Sequence, residues 1–222
     1  KGEEIFSTQT LGLNPQMLSN EILNERIKNN FDIYKNRKLV NRLFFYGAGC
    51  GVDSTQERIL KIFKSIFINS EFDIKEDTYA AVFSAVDIGT PSIVNIIGTG
   101  SNCSYYDGKD VIQRVQSLGY VLMDYASGNY YGKYLIRAYY FNKMPEYLRE
   151  EFAKSYDLSP NTIKNKLYRE ENPNTYLAGF AKFLIDNKSN EYFKEIIFKG
   201  LERFIDYQIL QYDDFSKVDV HY

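Results

Sequence analysis

The sequence predicts an α/β protein with two lobes. Strand-like and helix-like segments alternate through residues 1–91, and a second block opens with an apolar strand at 93–97. Helical spacing of apolar residues then dominates between Pro145 and Tyr212. The 222 residues, 44% hydrophobic and 25% charged, suit one large or two small globular domains. We therefore place a lobe boundary at Pro91.

The first lobe is expected to begin with a strand and loop. Apolar alternation over 4–15 predicts this strand, and helical spacing over 15–30 predicts an amphipathic helix. The remaining expected elements are a buried strand over 39–51 ending in a Gly-Ala-Gly turn, a helix over 53–67 with Asp53 or Ser54 as N-cap, a strand over 72–75, and a helix over 76–87 with Asp77 at its start.

The second lobe combines a hairpin with many helices. Four β-branched residues over 93–97 predict a buried strand that runs into Gly98-Thr99-Gly100-Ser101. The remaining expected elements are a hairpin over 101–117 turning at Asp107-Gly108, a strand, turn and helix over 118–141, helices punctuated by Pro160 and residues 171–174, and a final strand over 217–222.

Composition excludes several kinds of chemistry. Cys50 and Cys103 lie too far apart for a CxxC pair, and His221 alone cannot supply a zinc site or a Ser-His-Asp triad. The net charge of −2 predicts no general attraction to nucleic acid or to anionic membranes. No apolar run reaches the ~18–20 residues of a membrane span, and no signal peptide is recognisable. Because the two cysteines lie in unrelated contexts, we expect a reduced, cytoplasmic compartment.

Aromatic residues are abundant, with 20 Tyr, 16 Phe and no Trp. Their helical spacing over 130–141 favours aromatic packing over a nucleic-acid stacking platform, since no basic stripe accompanies it. Chemistry in this chain must therefore depend on carboxylates, hydroxyls and backbone amides.

The strand end at Gly98-Thr99-Gly100-Ser101 indicates a phosphate site. Glycine lets an anion approach the backbone closely, and the hydroxyls add donors at the edge where α/β folds bind ligands. A plain glycine-rich turn would have a similar sequence. Asp77 at a helix start and Asp124 after an apolar run add two acids. A glycine loop with two acids is typical of phosphoryl transfer, although either acid alone could simply cap a helix.

Five segments, in order, resemble one known family: "FFYGAGC" (44–50), "DTYAAVFSAV" (77–86), "IIGTGSNCSYYDG" (96–108), "SLGYVLMDYASGNYYGKYLI" (117–136) and "NPNTYLAGFAKF" (172–183). The chain is similar to the N-acetylglucosamine kinases, the BadF/BadG/BcrA/BcrD-type ATPases of the sugar kinase/Hsp70/actin superfamily. The resemblance implies two RNase H-like lobes around a cleft, with a helical insertion in the second. It also implies ATP, Mg²⁺, an amino-sugar substrate phosphorylated at its 6-hydroxyl, and frequent homodimers.

The resemblance also implies roles for individual residues. Asp77 matches the catalytic base, which also contacts the sugar. Gly98, Thr99 and Gly100 match a loop at the ATP phosphates, and Gly200 matches a small residue under the adenine. Further sugar contacts are expected at Asn14, Ser101, Asn102, Ser117, Leu118, Gly119 and Asp124. No protein metal ligand is expected.

The chain departs from the family pattern in three ways. The D-x-G-x-T-K phosphate loop that usually opens the first lobe is missing, as is the Gly-Ser turn that usually follows the last strand. We therefore expect lobes 1–91 and 92–222 to be incomplete, as in a trimmed chain. Tyr125 replaces a glutamate that relatives usually carry beside the sugar. Leu118 and Tyr125 lie where sugar specificity would be set.

Two alternatives to a kinase stay open. One is a non-catalytic, sugar-sensing protein on the same fold, which the loss of glutamate at Tyr125 favours. The other is an activator ATPase of the BadF/BcrA branch, in which cysteines hold an iron–sulfur cluster between subunits. Cys50 and Cys103 are better explained as small buried residues.

Overall fold

A computed structural model describes residues 3–222, and the chain divides into two compact units. The first unit ends at Ser84 and the second covers Ala85–Tyr222. The predicted lobe boundary at Pro91 lies inside the second unit. No helix within residues 3–222 combines the length and the apolar character needed to cross a bilayer.

The first unit has a short parallel sheet with helices before, between and after its strands. Its elements are α1 (Asn20–Lys28), α2 (Phe31–Asn36), β1 (Arg42–Gly47), α3 (Asp53–Ile66), β2 (Glu71–Glu76) and α4 (Asp77–Ala85), which reaches the unit boundary. Gly47 pairs with Glu76 at the ends of the two parallel strands. Both carboxyl ends therefore lie at the same edge, where α/β sheets usually bind ligands.

The core of the first unit covers one face of this sheet. Its buried members are Leu23, Ile27, Cys50, Ile59, Ile62, Phe63, Ile66 and Phe67. Phe44 of β1 is 60% exposed, so the strand predicted as buried over 39–51 is buried on one face only. The predicted N-cap of the second helix was also wrong. Val52 occupies that position, and its carbonyl accepts a hydrogen bond from the Thr55 hydroxyl at 2.9 Å.

Two predictions near the start of the chain need correction. Residues 4–15 form no strand, because no strand of the described residues offers them a hydrogen-bonding partner, and Ile5 is 91% exposed. The helix predicted over 15–30 begins only at Asn20. Its start is fixed by Ser19, whose side chain accepts from the Ile22 amide.

The second unit joins a mixed four-stranded sheet to a helical layer. Its elements are β3 (Ser92–Ile97), β4 (Ser101–Tyr106), β5 (Val111–Ile112), α5 (Gly128–Tyr140), α6 (Glu146–Ser155), α7 (Pro160–Tyr168), α8 (Pro173–Gly179), α9 (Ala181–Asp186), α10 (Glu191–Tyr207), a 3₁₀ turn (Ile209–Gln211) and β6 (Asp219–His221). The sheet order is β5-β4-β3-β6; β3 pairs antiparallel with β4 and parallel with β6. The predicted hairpin at Asp107-Gly108 and the predicted final strand are confirmed.

Aromatic side chains hold the helical layer together, as the sequence predicts. Phe152 is fully buried, and its ring centroid lies 5.1 Å from those of Tyr156 and Phe183 and 5.9 Å from that of Phe180. Such tilted ring pairs contribute beyond their buried area. The predicted helical run from Pro145 to Tyr212 is confirmed as five helices and a 3₁₀ turn.

The strand predicted at the beginning of 118–141 is wrong. Leu118–Asp124 contains no strand, and Val121 and Leu122 are 72% and 67% exposed. Gly119 adopts φ +80° and its carbonyl accepts hydrogen bonds from the Leu122 and Met123 amides. The left-handed glycine therefore starts a tight turn in which the apolar residues point outward.

Candidate functional site

The predicted phosphate loop connects β3 and β4. Its three backbone carbonyls accept hydrogen bonds from other backbone amides, whereas two of its own amides have no acceptor among the described residues. The Gly98 carbonyl accepts from the Gly128 amide at 2.8 Å, and the Thr99 carbonyl accepts from the Asn129 amide at 3.0 Å. The Gly98 amide donates to the Gly100 carbonyl at 2.9 Å. The amides of Thr99 and Gly100 donate to no group in residues 3–222. The loop can therefore offer two backbone donors to an anion.

The two glycines of this loop lack side chains for different reasons. A Cβ at Gly98 would have no atom within 4 Å, so the protein itself leaves that space open. A Cβ at Gly100 would lie 2.7 Å from Oδ2 of Asp124. Neither glycine has a positive φ. Gly100 is small because the Asp124 carboxylate lies against it, whereas the open space at Gly98 faces solvent.

Asp124 is held against the loop by a strained and well-bonded turn. It is 7% exposed and adopts φ +67°, with Ala126 at φ +61°, a left-handed conformation unusual for residues other than glycine. The Ser127 hydroxyl donates to the Asp124 carbonyl at 2.6 Å and, as N-cap of α5, accepts from the Tyr130 amide. The turn therefore fixes the carboxylate at the beginning of α5.

Asn129 connects Asp124 to the loop and was not predicted from the sequence. Its Nδ2 donates to the Thr99 carbonyl at 2.6 Å and to Oδ2 of Asp124 at 2.9 Å. The residue is fully buried, and its Oδ1 has no hydrogen-bond partner among the described residues. Because a buried amide oxygen without a partner is costly, Asn129 is unusual for a residue kept only for packing. The sequence signal was its place two residues after an N-cap serine.

Ser101 and Asn102, both predicted sugar contacts, project to opposite faces of β4. Ser101 is 7% exposed and its hydroxyl donates to the Tyr125 carbonyl at 2.7 Å. The Ser101 proton is thus already used inside the protein. Asn102 is partly exposed, and its Oδ1 accepts from the Ser104 hydroxyl at 3.4 Å.

Tyr125, which replaces the expected glutamate, packs against other rings. Its centroid lies 5.5 Å from that of Tyr130 and 5.2 Å from that of Tyr207. The substitution therefore exchanges a carboxylate for aromatic packing on α5 and α10.

The other predicted contacts of the second unit are less closely tied to the loop. Ser117 and Leu118 are exposed and lead into the turn at Gly119, so only the backbone is positioned there. Gly200 lies in α10, where a Cβ would come within 2.5 Å of the Tyr131 hydroxyl. The Tyr131 hydroxyl donates to the Ile197 carbonyl. Helix packing between α5 and α10 thus explains the glycine without a nucleotide.

In the first unit, the predicted residues gather at the carboxyl edge of β1 and β2. The Asn14 side-chain oxygen accepts from the Gln16 amide at 2.8 Å and lies against Gly49, where φ is +81° and a Cβ would overlap it. Asp77 is exposed at the first position of α4, directly after β2. Asn14 and Asp77 therefore flank the Gly-Ala-Gly turn that follows β1.

Glu76 is a second carboxylate at this edge that sequence reasoning missed. Its Oε1 would lie 2.9 Å from a Cβ at Gly51, and its Oε2 accepts from the Thr78 hydroxyl at 3.4 Å. Burial, followed by the negative charges of Asp77 and Glu76, raises the pKa of the Cys50 thiol to about 11. The raised pKa of Cys50 therefore reflects the proximity of the Asp77 and Glu76 carboxylates.

The two cysteines are poor ligands for a cluster shared between subunits. Both are buried, and neither forms a disulfide within residues 3–222. Burial raises the pKa of Cys103 to about 12, so each thiol stays protonated near neutral pH. Within residues 3–222, no group of three or more His, Cys, Asp or Glu side chains is arranged to hold a metal ion.

No protein-family model matches the chain, and no curated protein sequence matches it significantly. Solved structures do match. A putative N-acetylglucosamine kinase from Porphyromonas gingivalis has a TM-score of 0.82 and 25% sequence identity, covering 95% of this chain and 74% of that one. A putative N-acetylglucosamine kinase from Chromobacterium violaceum has a TM-score of 0.63 at 15% identity, covering 95% and 75%, which shows the fold alone.

The fold is thus mixed α/β and matches that of sugar kinase structures. The structural comparison confirms the resemblance predicted from the five sequence segments: in its three-dimensional structure this chain resembles the N-acetylglucosamine kinase family.

Proposed function

We propose that this protein is an ATP-dependent sugar kinase that phosphorylates a hexosamine. The proposed substrate is N-acetylglucosamine, and the proposed acceptor is its 6-hydroxyl. The observation that carries the proposal is the β3–β4 loop, whose Thr99 and Gly100 amides are free beside the buried Asp124 carboxylate. Similarity to the putative kinase of P. gingivalis supports it independently. The proposal includes two RNase H-like lobes, with the helices of the second unit as the insertion.

In this proposal the loop binds the phosphates of ATP. The free amides would donate to phosphate oxygens, and the open space at Gly98 lets the phosphate approach the backbone. Adenine binding at Gly200 lacks this kind of support, because Tyr131 already explains that glycine. Asp124 would accept hydrogen bonds from sugar hydroxyls, with Asn14 and Asn102 as further polar contacts.

Asp77 would act as the general base. It is an exposed carboxylate at a strand-to-helix junction, and phosphoryl transfer needs one group to accept the proton of the attacking hydroxyl. The rest of catalysis is positioning and charge stabilisation.

In this proposal Mg²⁺ would bind together with ATP. Mg²⁺ in kinases is held largely by phosphate oxygens and water, with one or two carboxylates, so no cage of protein ligands is required. When bound, the ion would neutralise charge on the transferring phosphoryl group.

The test replaces Asp77 by Asn and measures ADP release with a hexosamine and Mg-ATP. We expect turnover to fall by ~10²–10⁴ while sugar affinity changes only a few-fold, because the base acts on the proton rather than on binding. Asp87→Asn, which removes an exposed carboxylate just beyond α4, should leave turnover unchanged. Unchanged turnover in Asp77→Asn would remove Asp77 from the mechanism.

A non-catalytic sugar sensor is the second candidate, favoured by the aromatic packing of Tyr125 where relatives carry a glutamate. Thermal-shift measurements with hexosamines, with and without Mg-ATP, separate the two functions, since a ligand that binds the native state raises its midpoint. Sugar-dependent stabilisation without ADP release from the unmodified protein would favour the sensor.

A further inference from the structure

A groove of about 590 Å³ in the second unit is lined by positively charged side chains that have no role in the proposed kinase site. It lies between α5, α10 and residues 121–125. Its charged lining consists of Lys133, Arg137, Lys143, Lys199, Arg203 and Glu195. The lining therefore contains five cations and one carboxylate and has a net charge of +4, whereas the whole chain has a net charge of −2. The volume is that of a small-molecule site.

Four of the five cations form two pairs on neighbouring helices. Lys133 and Arg137 are four residues apart on α5, and Lys199 and Arg203 are four residues apart on α10. Residues at this spacing share a helix face, and like charges there repel each other and destabilise the helix. Like charges therefore repel each other on both helices that line the groove.

Most of this positive charge has no partner within the protein. Glu195 pairs with Lys199 at 2.6 Å, and Lys133 donates to the Tyr120 carbonyl. The side chains of Arg137, Lys143 and Arg203 form no hydrogen bond or ion pair with residues 3–222. Burial lowers the pKa of Lys133, opposed in part by the charge of Asp124, so an anion close to this lysine would be attracted with little solvent screening.

The rest of the lining is aromatic and apolar. Tyr130, Tyr134 and Tyr192 line the groove together with Ala138 and Ile196. Tyrosine rings provide a flat surface for the C–H face of a small ring compound, and guanidinium groups bind phosphate oxygens in a bidentate manner.

Because Arg137 and Arg203, which have no partner among the described residues, line the groove together with tyrosine rings, we infer that it is a second binding site, for a phosphate monoester on a small ring such as a hexosamine phosphate. It is separate from the loop at Gly98–Gly100. Met123 and Tyr125, on either side of Asp124, belong to its lining. Occupancy would therefore change the turn that holds the proposed sugar-binding acid, and the two ligands would alter each other's affinity.

The direct test measures binding of N-acetylglucosamine 6-phosphate by calorimetry, with inorganic phosphate and ADP as comparison ligands. We expect the phosphate ester to bind more tightly than inorganic phosphate, and less tightly as salt increases. In Arg137→Gln/Arg203→Gln its dissociation constant should rise at least ~10-fold, the effect of losing charge-assisted hydrogen bonds. Binding needs no turnover, so the result does not depend on the proposed kinase activity.

Two further variants make the test specific. Arg169→Gln/Lys194→Gln removes the same charge from outside the groove and should bind the ester like the unmodified protein. Thr99→Ala should weaken ADP but not the ester. Circular dichroism checks that every variant is folded, and Arg203→Gln alone should show a smaller loss of affinity in the same direction.

Three results would overturn the inference. The first is the absence of ester binding to the unmodified protein at millimolar concentration. The second is equal affinity in Arg137→Gln/Arg203→Gln and in the charge-matched control. The third is competition between ADP and the ester together with equal weakening in Thr99→Ala, which would make the groove part of the nucleotide site.

Discussion

Gly98 and Gly100 are separated by a single residue in the same loop, yet only at Gly100 would an added Cβ meet another group of the protein. We predict that Gly100→Ala displaces the Asp124 carboxylate, because the new Cβ would lie 2.7 Å from its Oδ2. Unfolding free energy should fall by ~1–3 kcal/mol, the usual cost of overpacking, and sugar affinity should fall about 10-fold. Urea unfolding and sugar titration measure these effects.

Gly98→Ala is the matched control for stability and a probe for function. Its Cβ meets no atom within 4 Å, so unfolding free energy should change by less than ~0.5 kcal/mol. If a phosphate approaches this backbone, the same methyl group should reduce ADP affinity. Full ADP affinity in Gly98→Ala would mean that the loop is a plain turn.

Asn129 offers a test of how the loop and Asp124 are held together. Asn129→Ala removes the side-chain hydrogen bonds to the Thr99 carbonyl and to Oδ2 of Asp124. The Thr99 carbonyl keeps the Asn129 backbone amide as a donor, whereas the buried Asp124 carboxylate loses a donor. We expect a loss of ~1–3 kcal/mol in unfolding free energy and higher KM values for both sugar and ATP. Asn187→Ala, which removes a bond to the Phe183 carbonyl at the end of α9, should leave both KM values unchanged.

A rise in only one KM would show that Asn129 positions the loop or the acid, but not both. An unchanged pair of values, with the stability loss as predicted, would limit the residue to a structural role.

The role of Asn129 illustrates which parts of the site sequence can reveal. Gly98, Thr99, Gly100 and Ser101 are consecutive in the chain, so a strand ending in glycine was enough to predict a glycine-rich loop there, whereas the pairing of β3 with β4 was not predicted. The hydrogen bond from Asn129 to the Thr99 carbonyl joins residues 30 positions apart, and it connects the loop to Asp124, which is only five residues from Asn129. The same is true of Glu76 beside Gly51, where only the parallel pairing of β1 and β2 brings the two together.

At the scale of whole elements, local periodicity predicted helices better than strands. Helices α3, α4 and α5 lie within the ranges predicted for them. A strand also needs a partner, and residues 4–15 have the alternation of a strand without a ladder among the described residues. The apolar run 118–124 failed for another reason, because a left-handed glycine at 119 turns the chain before a strand can form.

Helices α5 and α8 approach each other closely at a glycine, which gives an element-scale prediction. A Cβ at Gly132 would overlap the carbonyl oxygen of Leu177 and lie 2.7 Å from its carbonyl carbon. Because backbone cannot yield as a flexible side chain can, Gly132→Ala should lower unfolding free energy by more than ~2 kcal/mol, despite the ~1 kcal/mol gained in helix propensity.

Gly179 provides the matched control on α8 itself, since a Cβ there has no neighbour within 4 Å. Gly179→Ala should change unfolding free energy by less than ~1 kcal/mol in urea unfolding. If the two alanine variants were equally stable, the close approach of α5 and α8 would be refuted.

On the scale of the whole molecule, each unit has its own core and one buried thiol. Cys50 belongs to the core of the first unit and Cys103 to that of the second. Both thiols have a pKa raised above the ordinary value near 9, to about 11 and about 12. Between pH 9 and these values the unfolded chain loses protons that the folded chain keeps. Stability contributed by the thiols is therefore complete below pH 9 and is lost as pH rises through 11 to 12.

These thiols let each unit be followed separately in single-cysteine variants, Cys103→Ala and Cys50→Ala. At pH 8 a thiol of pKa 11 has ~100-fold less thiolate than an ordinary one, so native Cys50 should react with a thiol reagent at least ~100-fold more slowly than in urea, and Cys103 more slowly still. Adding Asp77→Asn removes a negative charge that raises the Cys50 pKa, so Cys50 should react faster at a given pH while Cys103 does not change. Equal acceleration of both cysteines would indicate general loosening, and no acceleration would mean that the Asp77 carboxylate does not lie beside Cys50 at the edge of the first sheet.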